Sequence, residues 1–342
     1  MKKKLSAIGT TGQGDFPVRA SVHENAKHAE IAQDARRALT VDGHEPVFDA
    51  GEIYTCTKNI WHILPKSSLH SWIGMAYRHC NAASKNSDYR AIRSTIEDIL
   101  ARPGFFNDTK PGVAAVGRFW RVTEAGKLYN EPLTAEHGQR FELPFAPDTS
   151  EGEPEMLGDL FSMVFDAEAR EGLAVAVGAL MGASILGLAG YFKETGFLIG
   201  SGDTGKSTIG ALLTKLLPPG VCSALPLSAL SDKHSIGNLE GKRVNIPGEE
   251  AADIVFDAAR FKQITGGDPV SARFVHGREF SFVSNALNIF TANKMPPLRE
   301  HGKQIYNRMV FIRFSRPVPN EKRIGKTEVA AQKMFDSEGA KI

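Results

Sequence analysis

Residues 197–208 read Phe-Leu-Ile-Gly-Ser-Gly-Asp-Thr-Gly-Lys-Ser-Thr. Gly200, Gly205, Lys206 and Ser207 fill every fixed position of G-x-x-x-x-G-K-S/T, a phosphate-binding loop. Phe197, Leu198 and Ile199 supply the buried strand that such a loop follows. From Ser207 to Leu217, apolar residues recur at Ile209, Leu212, Leu213 and Leu216, which is helical spacing. Pro218-Pro219-Gly220 ends that helix. A glycine-rich turn can match the pattern by chance, but the strand before it and the helix after it are the context that separates the motif from coincidence. Glycines let the backbone curl so that N–H groups point at phosphate oxygens, and the helix N-terminus adds a field that favours an anion. The expected ATP contacts are Gly200, Ser201, Gly202, Asp203, Thr204, Gly205, Lys206, Ser207 and Thr208. Lys206 reaches the β- and γ-phosphates in this reading, and Ser207 ligates Mg²⁺.

Composition sets the outer bounds. The chain has 342 residues, enough for two domains, with 41 Lys and Arg against 39 Asp and Glu. The balance gives no global attraction to a polyanion, so any nucleic-acid surface is local. Cys56, Cys80 and Cys222 are far apart and lack metal-ligand spacing, which fits buried thiols in the reducing cytoplasm. Lys2-Lys3-Lys4 precedes no apolar run, so the N-terminus is not a secretory signal. Gly172–Phe192 carries no charge and has membrane-spanning length. Half of it is Gly or Ala, and it ends just before the strand of the phosphate loop. The expectation is therefore a buried, tightly packed helix and no membrane partner.

Along the chain, residues 1–40 read as a partly disordered tail with helical character from Ala26 to Leu39. Residues 41–150 read as a small mixed α+β domain: short strands from 45 to 72 and again from 112 to 145, and a helical stretch from Trp72 to Leu100. The polar stretch Asp148–Pro154 marks a domain boundary. Residues 151–195 form a helical collar, and 196–342 an α/β domain.

Four later segments narrow the chemistry. Arg243-Val244-Asn245-Ile246-Pro247-Gly248-Glu249-Glu250 is an interrupted apolar strand ending in two carboxylates. Beside a phosphate loop, one such acid holds Mg²⁺ and another polarises water; the plain alternative is a turn whose acids cap the next helix. Two strand-like runs then flank His276-Gly277-Arg278, which reads as a hairpin tip with basic groups for a phosphate backbone, or as an ordinary solvated hairpin. Leu287–Asn293 is an apolar strand ending in Asn293, a turn former that can also orient a water. Arg308 precedes the last strand, Met309–Phe314, and either stabilises transition-state charge in a neighbouring subunit or pairs with a carboxylate.

In this order, from about 155 to 335, these segments resemble a superfamily 3 helicase, and more narrowly the phage and plasmid primase-helicase family. The resemblance implies a P-loop NTPase of AAA+-related α/β fold that uses ATP and Mg²⁺. It implies a homo-oligomeric ring, usually hexameric, on single-stranded or forked DNA. It gives Lys206, Glu249, Glu250, Asn293 and Arg308 catalytic roles, with Ser207 and Glu249 at the metal. It places Lys262, Asp268 and Arg273 in the superfamily-specific motif, with Lys262, Arg273, His276, Gly277 and Arg278 toward DNA. Three departures stand out. Thr204 replaces the family's usual Asn. Pro247-Gly248 precede Glu249, so a separate metal-binding Asp is missing; Glu250 is the candidate to substitute for it, and the division of labour between the two acids stays open. No primase domain fits upstream, and the C-terminal extension of relatives is expected to be missing. A separately encoded primase or a host replication protein is thus an expected partner. The competing function is a DNA-indifferent ATPase acting as an assembly or regulatory module; a small-molecule kinase fits less well, since no acceptor site is visible.

Overall fold

The computed structural model describes residues 26–150, 154–250, 257–274, 279–294 and 303–341. The chain divides into two compact units, Met1–Phe106 and Asn107–Ile342.

In the first unit, α1 (His28–Leu39) buries Ile31, Ala32, Ala35 and Leu39, one stripe of an otherwise polar helix. Three antiparallel strands follow: β1 (Val47–Asp49), β2 (Glu52–Thr57) and β3 (Ile60–Ile63). Both connecting turns are two residues long, Ala50-Gly51 and Lys58-Asn59, and all four residues have positive φ. That backbone twist matches the twist of the strands it joins. Helices α2 (Lys66–Ala76) and α3 (Asn86–Leu100) close the core through Leu69, Trp72, Ile73, Ile92 and Ile96. The Asp49 carboxylate is buried and accepts from the backbone N–H groups of Ala50, Gly104 and Phe106, so the chain leaving α3 is tied to β1.

The second unit opens with a four-stranded sheet of β4 (Val113–Ala115), β5 (Arg118–Val122), β6 (Leu128–Pro132) and β7 (Glu142–Leu143), in the order β6-β5-β4-β7. The second unit starts at Asn107 and includes this sheet. The cause is burial: Val113, Ala115, Phe141 and Leu143 pack into the same core as the helices and strands that follow.

Helices α4 (Glu155–Val164), α5 (Arg170–Leu186) and α6 (Ala189–Phe192) come next. The uncharged 172–192 run is thus two helices, broken at Gly187 in the left-handed region at φ +68. Nor is it wholly buried. Val177, Leu180, Met181 and Ser184 face the core, whereas Val175, Tyr191 and Phe192 are exposed. No helix among the described residues is long and apolar enough to cross a membrane.

A parallel sheet forms the centre. Its strands are β8 (Thr195–Gly200), β9 (Cys222–Ser223), β10 (Val244–Asn245), β11 (Glu249–Glu250), β14 (Leu287–Ala292) and β15 (Met309–Phe314), ordered β15-β8-β14-β10-β9, with β11 also beside β14. Between β11 and β14 lie α8 (Ala258–Gly266) and the antiparallel pair β12 (Pro269–Arg273) and β13 (Glu279–Val283). The hairpin expected here is present as these two strands, and its tip lies outside the described residues. Helix α7 (Lys206–Leu216) follows β8, α9 (Lys303–Tyr306) precedes β15, and α10 (Thr327–Glu338) packs on α7. Every residue of β14 is buried, and β8 is buried over its first four residues. Covered on both faces, parallel strands read as largely apolar runs, which is why Phe197–Ile199 and Leu287–Phe290, with Asn288 its one polar residue, are legible as strands.

Candidate active site

β8 is an interior strand, and the chain leaves it for the far edge at β9 and returns on its other side at β15. Ligands of open α/β sheets bind outside the carboxyl ends of strands at such a switch point. Here that point is the loop 200–205 and the start of α7.

The loop's geometry follows from its residues. A Cβ on Gly200 would strike the carbonyl oxygen of Phe314 on the neighbouring strand, so only glycine lets β8 end there. Gly205 sits at φ +86, which presents the N-terminus of α7 to the loop. The Lys206 side chain is almost fully buried, and Nζ donates to the carbonyls of Gly200 (2.6 Å) and Ser201 (2.7 Å) and to Thr204 Oγ1 (3.3 Å). Burial lowers its pKa and the nearby Glu249 carboxylate opposes that shift. Thr204 is itself buried and donates to Ser201 O at 2.9 Å. The position where the resemblance leads one to expect Asn therefore stitches the loop together through a hydroxyl.

Above the loop lies a cavity of about 760 Å³, within the size range of small-molecule and cofactor sites. Gly202 through Thr208 and Glu249 line one side. The two glutamates part company. Successive side chains of a strand point to opposite faces, so Glu249 is exposed and lines the cavity. Glu250 is buried on the other face, its Oε1 accepting from Leu227 N at 2.8 Å. Burial raises the Glu250 pKa and the Leu227 N–H holds it back.

The remaining sites expected from sequence are placed as follows. Asn293 is exposed, one residue past β14, and parallel pairing of Ala292 with Ile199 and with Glu250 puts it at the same sheet end as the loop, though not on the cavity wall. Arg308 is also off the wall, with Nη1 donating to Lys262 O and Thr265 Oγ1, both at 2.9 Å. It thereby ties the start of β15 to the end of α8. Lys262 lies on α8, Asp268 is exposed in the turn after it, and Arg273 ends β12 with its carbonyl facing His234 Nδ1 at 2.9 Å. Ser207 is exposed and lines the same cavity as Glu249. His276, Gly277 and Arg278 lie outside the described residues.

Two walls had not been anticipated. One is α4, through Met156, Leu160 and Met163. The other is the stretch after β15, with Val318, Lys322, Arg323 and Lys326, and the first turns of α10. The apolar α4 stripe looks like any core-facing helix in sequence; the run Lys322-Arg323-Ile324-Gly325-Lys326 did carry a signal, as a dense cluster of cations behind the last strand.

Comparison with known proteins adds a match to a family model over part of the chain and a likeness of fold. Residues 198–308 match a family model described as a family of unknown function, DUF5906. The match runs from β8 to Arg308 and so includes Lys206, Glu249 and Asn293. No curated protein is similar in sequence at a significant level. Among solved structures, the A form apo structure of the NrS-1 C-terminal region is similar with a TM-score of 0.52 at 18% identity, over 90% of this chain and 68% of that one. A second apo structure, of NrS-1 residues 305–718, gives a TM-score of 0.51 at 16% identity, over 93% and 68%. At this identity the likeness is one of fold.

Proposed function

We propose that the chain is an ATP hydrolase of superfamily 3 type, a ring-forming DNA helicase or translocase that serves replication of a phage or other mobile element. The observation that carries this reading is the juxtaposition of Lys206, Ser207 and Glu249 on one cavity at the carboxyl end of β8. That cavity has the volume and the donor set for a nucleoside triphosphate. The N-terminus of α7 and the loop N–H groups favour its phosphates. Lys206 Nζ, now shared among three oxygens, exchanges them for phosphate oxygens. Glu249, exposed to the cavity, accepts hydrogen bonds from the attacking water and orients it. Ser207 and Glu249 fit Mg²⁺, which is usually held by one or two protein groups plus phosphates. The ion supplies Lewis-acid neutralisation of phosphate charge. Glu250, turned away from the cavity, anchors β11 to the segment at Leu227 instead.

In this reading the hairpin β12–β13 carries DNA contacts, through Arg273 and the tip residues His276 and Arg278, and binding to the phosphate backbone is salt-sensitive and indifferent to sequence. Arg308 acts in a neighbouring protomer's site after giving up its bonds to Lys262 and Thr265.

The test is ATP hydrolysis with and without single-stranded DNA, with Lys206→Ala as control. Hydrolysis stimulated by DNA and lost in the variant supports the motor. Hydrolysis indifferent to DNA favours an assembly or regulatory ATPase, and no hydrolysis at all refutes the enzyme.

A further inference from the structure

The cationic stretch after β15 is fastened to the phosphate loop at one residue. Asp203 sits in the loop with φ +62, and its carbonyl accepts from Val318 N at 2.8 Å. Its carboxylate faces the Arg323 guanidinium at 3.2 Å, and Arg323 Nε donates to Val318 O at 3.2 Å. Lys322 and Lys326 line the same cavity. Lys326 stands at the N-cap of α10, where no side chain caps the first turn, and Thr327 opens that helix onto the cavity wall. Two helix N-termini and four cations (Lys206, Lys322, Arg323 and Lys326) therefore converge on one space, against the acids Asp159, Asp203 and Glu249.

The Asp203–Arg323 pair is half open to solvent, at 68% and 38% exposure, and exposed pairs of this kind hold weakly. A guanidinium carries five donors in a planar fork that matches phosphate as well as carboxylate. A triphosphate seated on the loop presents several oxygens beside Asp203, with more charge than one carboxylate.

We propose that Arg323 contacts the nucleotide's phosphates in its own protomer, leaving Asp203 when a triphosphate binds, so that Asp203 competes with the ligand for it. The inference rests on the reading of the cavity as an ATP site. It assigns the 315–326 segment as an arm of that site, and it gives Asp203 a negative influence on affinity.

The opposite signs make the test decisive. Titration calorimetry with a non-hydrolysable ATP analogue and Mg²⁺ measures binding to the whole chain and to three variants, with thermal unfolding in the absence of nucleotide as a check on folding. Arg323→Ala is expected to weaken binding about ten- to a hundredfold, the range for losing a hydrogen bond to a charged group. Asp203→Asn removes the competitor while tolerating the left-handed backbone, and is expected to tighten binding severalfold. Asp203→Asn combined with Arg323→Ala is expected to bind like Arg323→Ala alone. If the pair is only a structural clasp, both single variants weaken binding, and the inference is overturned. A gain from Asp203→Asn that persists in the double variant shows plain charge repulsion at Asp203, which also overturns it. If the unaltered chain binds no nucleotide, or if Lys206→Ala binds as well as the unaltered chain, the ATP-site reading falls and this inference falls with it. Binding lost in Lys206→Ala but unchanged in Arg323→Ala removes only Arg323.

Discussion

Two adjacent glutamates are expected to give opposite phenotypes. Glu250 is 6% exposed, and its Oε1 is the 2.8 Å acceptor for the N–H of Leu227, which is completely buried. Glu250→Ala leaves that N–H unsatisfied, at about 1–3 kcal/mol. For a unit of this size each kcal/mol lowers Tm by about 2–4 °C, so the variant should melt about 2–12 °C earlier while its turnover per folded molecule stays within a few-fold. Glu249 is exposed on the cavity wall. Glu249→Gln should leave stability within about 0.5 kcal/mol and reduce hydrolysis about 10²–10⁴-fold, the range for a general base. The assays are calorimetric unfolding and single-turnover ATP hydrolysis. Glu250→Gln adds a pH test. Burial raises the folded-state pKa of Glu250, so the stabilisation comes from the protonated form. It is fully present below the unfolded glutamate pKa and is lost as pH rises through the raised folded value. Gln keeps the acceptor without the charge, so its stability advantage over the native chain should grow across that window and then level off. The reasoning is refuted if Glu250→Ala abolishes turnover with an unchanged Tm while Glu249→Gln still turns over.

Two further outcomes are expected. Gly187→Ala should destabilise the chain by about 1–3 kcal/mol, seen as a lower denaturant midpoint, because the residue sits at φ +68 and a Cβ there runs into the Arg243 guanidinium. That arginine holds Gly112 O at 3.0 Å and Gln139 at 3.1 Å. Arg278→Ala should weaken binding to single-stranded DNA and lower the salt-dependence slope by about one ion while sparing basal hydrolysis. Equal loss of both activities would remove Arg278 from DNA contact.

The sequence by itself determined the elements whose code is local. Phe197–Ser207 specified strand, loop and helix, because glycine's left-handed freedom, an unbroken apolar strand and 3.6-residue periodicity are all written within a dozen residues. The strands around Phe119 and Phe141 and the last strand were legible for the same reason, and so was Glu249 as an acid at a strand end. What the tertiary structure decided is what depends on partners distant in the chain. The pleat of β11 and the reach of Leu227 separated Glu249 from Glu250. Packing of Phe141 and Leu143 into the central core joined the β4–β7 sheet to the unit that starts at Asn107. The 172–192 run read as fully buried because composition records how apolar a helix is, not which of its sides another element covers. The arm at Lys322–Lys326 was visible as charge, yet only the return of the chain over the loop, from Phe314 to Val318, set Arg323 against Asp203. Local propensity fixes the elements, while long-range pairing and burial choose which of their side chains share a site.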